Sequence, residues 1–320
     1  MSKQQNDHFV PKTYLQRFVD PTRQNLLHVY RKQDHGYACQ KPRKVCRERG
    51  GDENPYYRDP RILRSLLGEF EPKWSAAVDS FIADPGDGDA QFVIAGLAAY
   101  LMSWVPASRR IQTDAMEQQM EAMRPMFAKQ VKYDIEDMEE ATKTAEALLD
   151  KRIMIKVDTH FPRAIALQNM LSIAVSLFEG RWLFSRAPEG KHFITSDNPA
   201  VKLHLSNADL LGKTFLPLDP LWAVVILPAP KKEGDERDPT KLTSTGVEVV
   251  EMGNEVFESF TALMVKSAER VVISSRDDQA VHELVKEYSD WRMEAQLDRM
   301  PKGLGSYLIT SLRPARKLSN

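Results

Sequence analysis

Between positions 60 and 82 the apolar residues Ile62, Leu63, Leu66, Leu67, Phe70, Trp74, Val78 and Phe81 recur at helical spacing. The pattern predicts a helix from about Pro60 to Ile82. Pro72 should kink or break it, because proline lacks the N–H that a helix interior needs. Asp84-Pro85-Gly86-Asp87-Gly88 then punctuates the chain. From Ala90 to Ser108 no residue is charged. That run approaches the roughly 20 residues of a membrane span. Gln91, Gly96, Ser103, Pro106 and several alanines dilute it, so it reads as a buried core helix. The segment 112–150 is polar and reads as a solvated helical hairpin or arm. Its stripe of Met116, Met120, Met123 and Met126 suits either a partner or a neighbouring helix of the same chain. A second apolar helix is expected from about Phe161 to Phe178.

After Gly180 the texture changes to short strand-like runs: Arg181-Trp182-Leu183-Phe184, His192-Phe193-Ile194-Thr195, Ala223 to Leu227, Gly246 to Glu251 and Arg270 to Ser274. An earlier strand is expected at Leu26 to Tyr30. Helices are expected from Asn254 to Ala268 and from Asp277 to Met293, the latter capped by Asp277. A short helix should run from Pro11 to Phe18, with Tyr14, Leu15 and Phe18 on its buried face. The tail from Arg313 is basic and is expected to fray. Strands at both ends around a helical middle, without βαβ alternation, predict an α+β fold. The expectation is a mostly antiparallel sheet built from N- and C-terminal segments. Residues 1–300 would form one domain with a helical insertion at about 60–180, and 301–320 a basic tail.

Size and charge narrow the partners. At 320 residues the chain can bury a large core, and its net charge of −1 excludes a surface that is cationic throughout. A local groove remains open: Lys41, Arg43, Lys44, Arg47 and Arg49 form a basic run, with Tyr37, Tyr56 and Tyr57 nearby. Such a run either faces solvent or tracks a nucleic-acid backbone with bases stacked on the tyrosines. Two cysteines and no apolar leader fit a cytoplasmic protein with no membrane association. Cys39 and Cys46, with His28 and His35 upstream, lack the spacing of a zinc knuckle and read as two reduced, unconnected thiols. Nucleotide-motor, dinucleotide, zincin and hydrolase-elbow motifs have no match.

Two short motifs stand apart from the core pattern. The first is His8-Phe9-Val10-Pro11-Lys12-Thr13-Tyr14-Leu15-Gln16-Arg17-Phe18, and the second is Thr195-Ser196-Asp197-Asn198-Pro199. With Glu71, Trp182, the Pro217-Leu218-Asp219-Pro220 turn and Asn254, they resemble an uncharacterised bacterial family. Its members begin H-x-x-P-x-x-Y-L-x-x-F and later carry T-S-D-N-P. The resemblance implies fold and site placement and brings no reaction with it.

Asp197 at a strand end is a candidate base or metal ligand, and equally a turn-forming residue. His8 titrates near neutrality, so it could move a proton or bind a metal, or simply cap the helix that follows. Glu71, in an apolar helix, needs a partner, for which Arg109 or Arg110 is a candidate. Two readings follow. In the first, the protein is a hydrolase of a phosphodiester or nucleic-acid-like anion. His8, Asp197 and Glu71 share one concavity as its centre, and Lys12, Tyr14, Thr195, Ser196, Asn198 and Arg109 hold the substrate. A divalent metal, Mg or Mn, is a candidate cofactor. In the second, the motifs are structural and the chain is a binding or interaction module, with 112–150 as a surface for a partner or a homodimer.

Overall fold

The computed structural model describes residues 6–51, 53–203, 212–229, 244–302 and 305–317. The N-terminal part holds β1 (Asn6–His8), α1 (Lys12–Leu15), β2 (Leu27–Arg31), β3 (Tyr37–Gln40) and β4 (Arg47–Arg49). The helical block follows: α2 (Ile62–Phe70), α3 (Trp74–Ala83), α4 (Gly88–Trp104), α5 (Pro106–Ala122), α6 (Arg124–Asp134), α7 (Met138–Leu149) and α8 (His160–Phe178). Next come β5 (Arg181–Arg186), β6 (Thr195–Ser196), β7 (Val201–Leu203), β8 (Lys213–Pro217), β9 (Trp222–Leu227) and β10 (Val247–Glu251). The chain closes with α9 (Asn254–Ser267), β11 (Val271–Ser274), α10 (Gln279–Glu287), β12 (Trp291–Lys302) and β13 (Gly305–Arg316). The fold is α+β.

Local chemistry sets the helix ends. The expected break at Pro72 is a single 3-10 turn, Glu71–Lys73, between α2 and α3. The Asp87 carboxylate accepts the N–H groups of Asp89 and Ala90 and so starts α4, and Asp137 does the same for α7. The uncharged run is a core helix as its dilution suggested: Ile94, Leu97 and Leu101 of α4 are fully buried. α8 is long and apolar enough to cross a membrane. Here it packs along α4 through Leu167, Met170, Ala174 and Leu177.

The strands form two principal sheets instead of the single one expected. One has the order β3-β2-β11-β6, and the other β10-β5-β9-β8-β7; β1 pairs with β4 and β12 with β13. Pairing is antiparallel except between β10 and β5. The main core joins the N-terminal motif (Phe9, Tyr14, Leu15, Phe18) to α3, α4 and α8 and to Trp182, Phe184 and Val224 of the five-stranded sheet. Tyr14, Leu15 and Phe18 are fully buried, each contributing about 1.5–3 kcal/mol. A second core, with Phe193, Phe215, Phe257, Met264 and Val272, lies under α9 and α10.

Four local expectations are corrected. The strand placed at His192–Thr195 is Thr195–Ser196, because the Phe193 N–H is taken by the Pro220 carbonyl outside any ladder. Asp278, not Asp277, caps α10, and Asp277 holds His282 instead. That helix ends at Glu287 and does not continue to Met293. The tail expected to fray from Arg313 is paired as far as Arg316 in the β12–β13 hairpin, with Arg313 opposite Glu294, while residues 318–320 lie outside the described residues. In the segment 112–150, α6 packs on α7 through Ala128, Ala145 and Leu148, while α5 lies on β12 through Ile111, Met293 and Ala295. Met116, Met120 and Met123 are half-buried and Met126 is exposed.

Candidate anion-binding site

Each polar side chain of Ser196-Asp197-Asn198 grips the junction between α9 and β11. Ser196 Oγ accepts the Asn198 N–H at 3.0 Å and donates to Met264 Sδ at 3.2 Å. Asn198 Nδ2 donates to the Ser267 carbonyl at 3.0 Å. Asp197 Oδ1 accepts the Glu269 N–H at 2.9 Å, and Oδ2 accepts those of Arg270 at 2.8 Å and Val271 at 3.3 Å. Asp197 is fully buried, and burial pushes its carboxyl up to about 6 although the three N–H donors pull the other way.

Lys32 holds the same junction from its carbonyl side. Nζ donates to Val265 at 2.8 Å, Ala268 at 3.0 Å and Trp291 at 2.6 Å, so all three ammonium hydrogens are used. Burial brings this lysine down to about 8, opposed by the nearby Asp197 carboxylate. Nothing in Arg31-Lys32 distinguishes the buried cation from its exposed neighbour, and sequence reasoning missed it.

The N-terminal motif is tied to both sheets. Tyr14 Oη donates to the Pro217 carbonyl at 2.9 Å and accepts the Thr195 hydroxyl at 2.8 Å. Burial raises the Tyr14 phenol far beyond neutrality, so it stays protonated. Arg17 reaches Asp79 at 2.9 Å and Asp219 at 3.1 Å, and Lys12 is exposed.

His8 and Glu71 are electrostatic neighbours. Burial lowers the His8 imidazole below its usual range, opposed by Glu71 and by the Pro42 and Arg43 backbone beside the ring; its Nε2 is buried with no hydrogen-bond partner. Glu71 accepts the Thr13 hydroxyl at 3.4 Å. Its expected arginine partners are engaged elsewhere: Arg109 with Glu48, and Arg110 with Glu269 and Glu294. The structure thus brings Tyr14 to Thr195, and His8 to Glu71. Neither His8 nor Glu71 is among the residues that line the cavity at Asp197.

That cavity, of about 160 Å³, has Phe9, Val45, Cys46 and Asp197 as its buried wall. Its exposed wall is cationic: Arg31, Lys44, Arg47 and Arg270. Pairing of β2 with β11 sets Arg31 opposite Val271, and the Asp197-held turn presents Arg270 beside them. Arg31 is bound by Asp34 at 2.9 Å. Among the described residues, no carboxylate forms an ion pair with the side-chain cation of Lys44, Arg47 or Arg270. Lys41, Arg43 and Arg49 of the same run are also exposed. The basic run was legible in the sequence, whereas Arg31 and Arg270 join it only through strand pairing.

The tyrosines do not. Tyr56 bonds Asp158, Tyr57 bonds the Ala164 carbonyl, and Tyr37 bonds His28. A larger cavity, about 720 Å³, borders Arg17, Asp20, His192, Asp219, Ser275 and Arg276. Its arginines are already matched, Arg17 as above and Arg276 by Asp278 at 3.6 Å. Among the described residues no group of three or more His, Cys, Asp or Glu is placed to hold a metal ion, so no step is assigned to Mg or Mn. Cys39 and Cys46 are both free thiols.

No curated protein and no solved structure gives a significant match to the chain. A family model described as a protein of unknown function, DUF4238, matches residues 6–278, and the chain belongs to that family.

Proposed function

We propose that this protein binds the phosphate backbone of a nucleic-acid-like polyanion at the cavity beside Asp197. The observation that carries the reading is the convergence of Lys44, Arg47 and Arg270 on one cavity, where none of the three is ion-paired to a carboxylate among the described residues. Unpaired cations held by rigid backbone attract phosphate oxygens, and each phosphate neutralised releases counterions. Asp197 serves as a positioning residue in this reading. Both of its oxygens are occupied by backbone N–H groups, so it places Arg270 and is not a free base. With the tyrosines committed elsewhere, recognition rests on backbone charge and carries little sequence preference.

Fluorescence anisotropy with a labelled single-stranded oligonucleotide tests this. Three contacts predict that log K falls against log salt with a slope of about −2, at about −0.7 per neutralised phosphate. Arg47→Ala and Arg270→Ala should each flatten the slope by about 0.7. A salt-independent affinity, or one untouched by both substitutions, would overturn the reading.

A hydrolytic variant of this function is favoured by one observation. His8 Nε2 is buried without a partner, beside Glu71 and Arg47. A neutral imidazole with a free nitrogen next to a cation can serve as a base toward a phosphodiester. In this variant, bound RNA or DNA is cleaved, and His8→Ala abolishes cleavage while leaving the salt slope intact. Binding without turnover removes it and leaves the binding function standing.

A further inference from the structure

Cys39 and His28 are register partners across the β2–β3 ladder, with β3 at the sheet edge. Cys39 Sγ lies 3.8 Å from His28 Nδ1. Tyr37 Oη sits between them, 2.6 Å from Nδ1 and 3.4 Å from Sγ. On the far side of the ring, His28 Nε2 is 2.9 Å from Asp20 Oδ2. The other Asp20 oxygen takes the Thr22 N–H at 2.8 Å and the Thr22 hydroxyl at 2.6 Å, which fixes the carboxylate. These bonds, led by the Thr22 hydroxyl, hold Asp20 well below the usual carboxylate range, so it is ionised.

The hydrogens can be assigned from these contacts. An ionised carboxylate only accepts, so Nε2 carries the His28 hydrogen and Nδ1 is left as the acceptor. Tyr37 then donates to Nδ1, and its oxygen accepts the Cys39 thiol hydrogen. The result is a one-way relay: Cys39 S–H to Tyr37, Tyr37 O–H to His28, His28 N–H to Asp20. Nucleophile, base and orienting carboxylate are in the order that nucleophilic catalysis requires. His28 is almost fully buried, whereas Cys39 remains partly accessible. His282, itself bonded to Asp277, packs on the Tyr37 ring.

We propose that Cys39 is a nucleophilic thiol toward low-molecular-weight disulfides, with His28 as its base, Asp20 orienting His28, and Tyr37 bridging the proton. In the step, the thiol proton moves through Tyr37 to His28 Nδ1. The Cys39 sulfur attacks one sulfur of the disulfide and a new S–S bond forms. The original S–S bond breaks, and its electron pair leaves on the departing thiolate, which takes the proton from His28. The product is a mixed disulfide on Cys39. Attack on a disulfide needs a thiolate and a leaving thiolate, with no oxyanion donors, so the constellation is complete for it. Cys46, by comparison with the partly accessible Cys39, is buried, and burial pushes the Cys46 thiol well up.

The reduced full-length protein is mixed with oxidised glutathione at pH 7, and adducts are quenched and mapped by mass spectrometry. The expected result is a single adduct at Cys39, absent in Cys39→Ser, with Cys46 modified only after unfolding. Tyr37→Phe and Asp20→Asn should slow it at least about tenfold, part of the about 100-fold or more that a positioned base supplies. Asp20→Glu keeps the carboxylate and should recover rate that Asp20→Asn loses, which a purely structural role would not require. Thermal melts confirm that each variant is folded, and Tyr37→Phe, which keeps the ring, carries the test alone if Asp20→Asn unfolds. An unchanged rate in folded Tyr37→Phe, or preferential modification of Cys46 in the folded protein, overturns the proposal.

Discussion

Asp197 is a carboxylate that the fold needs and at the same time penalises. Its three N–H partners belong to one turn, so removing the side chain leaves buried donors unmet. Its folded value, about 6, lies above the ordinary 3.8. The native state therefore favours the protonated form. The stabilisation that follows is complete below about pH 4 and is lost as pH rises through 6. Measured against Asp197→Asn, whose side chain does not titrate, wild type should lose up to about 3 kcal/mol of its relative stability between pH 4 and pH 7. Urea unfolding at the two pH values checks this, and a pH-independent difference would contradict it. The motif was visible in the sequence as an unusual polar turn. What Asp197 grips was not, because its partners are backbone groups more than seventy positions away, and backbone groups leave no mark on composition.

Among the elements, legibility followed periodicity. α2 and α3, with the break at Pro72, were written in the spacing of Ile62, Leu66, Phe70 and Trp74. The β12–β13 hairpin was missed although Trp291, Met293, Ala295 and Leu297 alternate strictly with Arg292, Glu294 and Gln296. The charged residues on that alternate face suggest solvent, but they bury part of their charge instead: Arg110 of α5 binds both Glu294 and the Met293 carbonyl. The α6–α7 pair rests on a comparable anchor. Arg124, nearly buried, donates to the carbonyls of Leu148 at 2.7 Å and Ile153 at 2.8 Å. Arg124→Ala leaves both without that donor, a cost of about 1–3 kcal/mol each where water cannot enter. Amide exchange across Met138–Leu149 should accelerate while Gly88–Trp104 stays protected, because α4 belongs to a different core cluster. Acceleration in both helices would show that the pair and the main core open as one unit.

For the whole molecule, the N-terminal motif is the centre of assembly. A sequence window shows a short amphipathic helix; the structure shows Tyr14 and Phe18 at the junction of helical block and sheets, beside Trp74. Local pattern gave the buried face and could not give its partners. Tyr14 bonds Thr195 across 181 positions and Pro217 across 203. These separations order events during synthesis. At about 5–20 residues per second, Tyr14 leaves the ribosome roughly 10–40 seconds before the strand that completes its socket. Through that interval a face built from Tyr14, Leu15 and Phe18 has no finished cavity to enter and is open to chaperones and proteases. Chains arrested near position 190 should therefore be cut within their first twenty residues by a protease that leaves the same bonds intact in the full-length protein. Equal resistance in both would mean that the helical block alone shelters the motif. A motif translated well before its partners is thus among the last to be secured, and the rate of translation becomes part of how this protein reaches its native state.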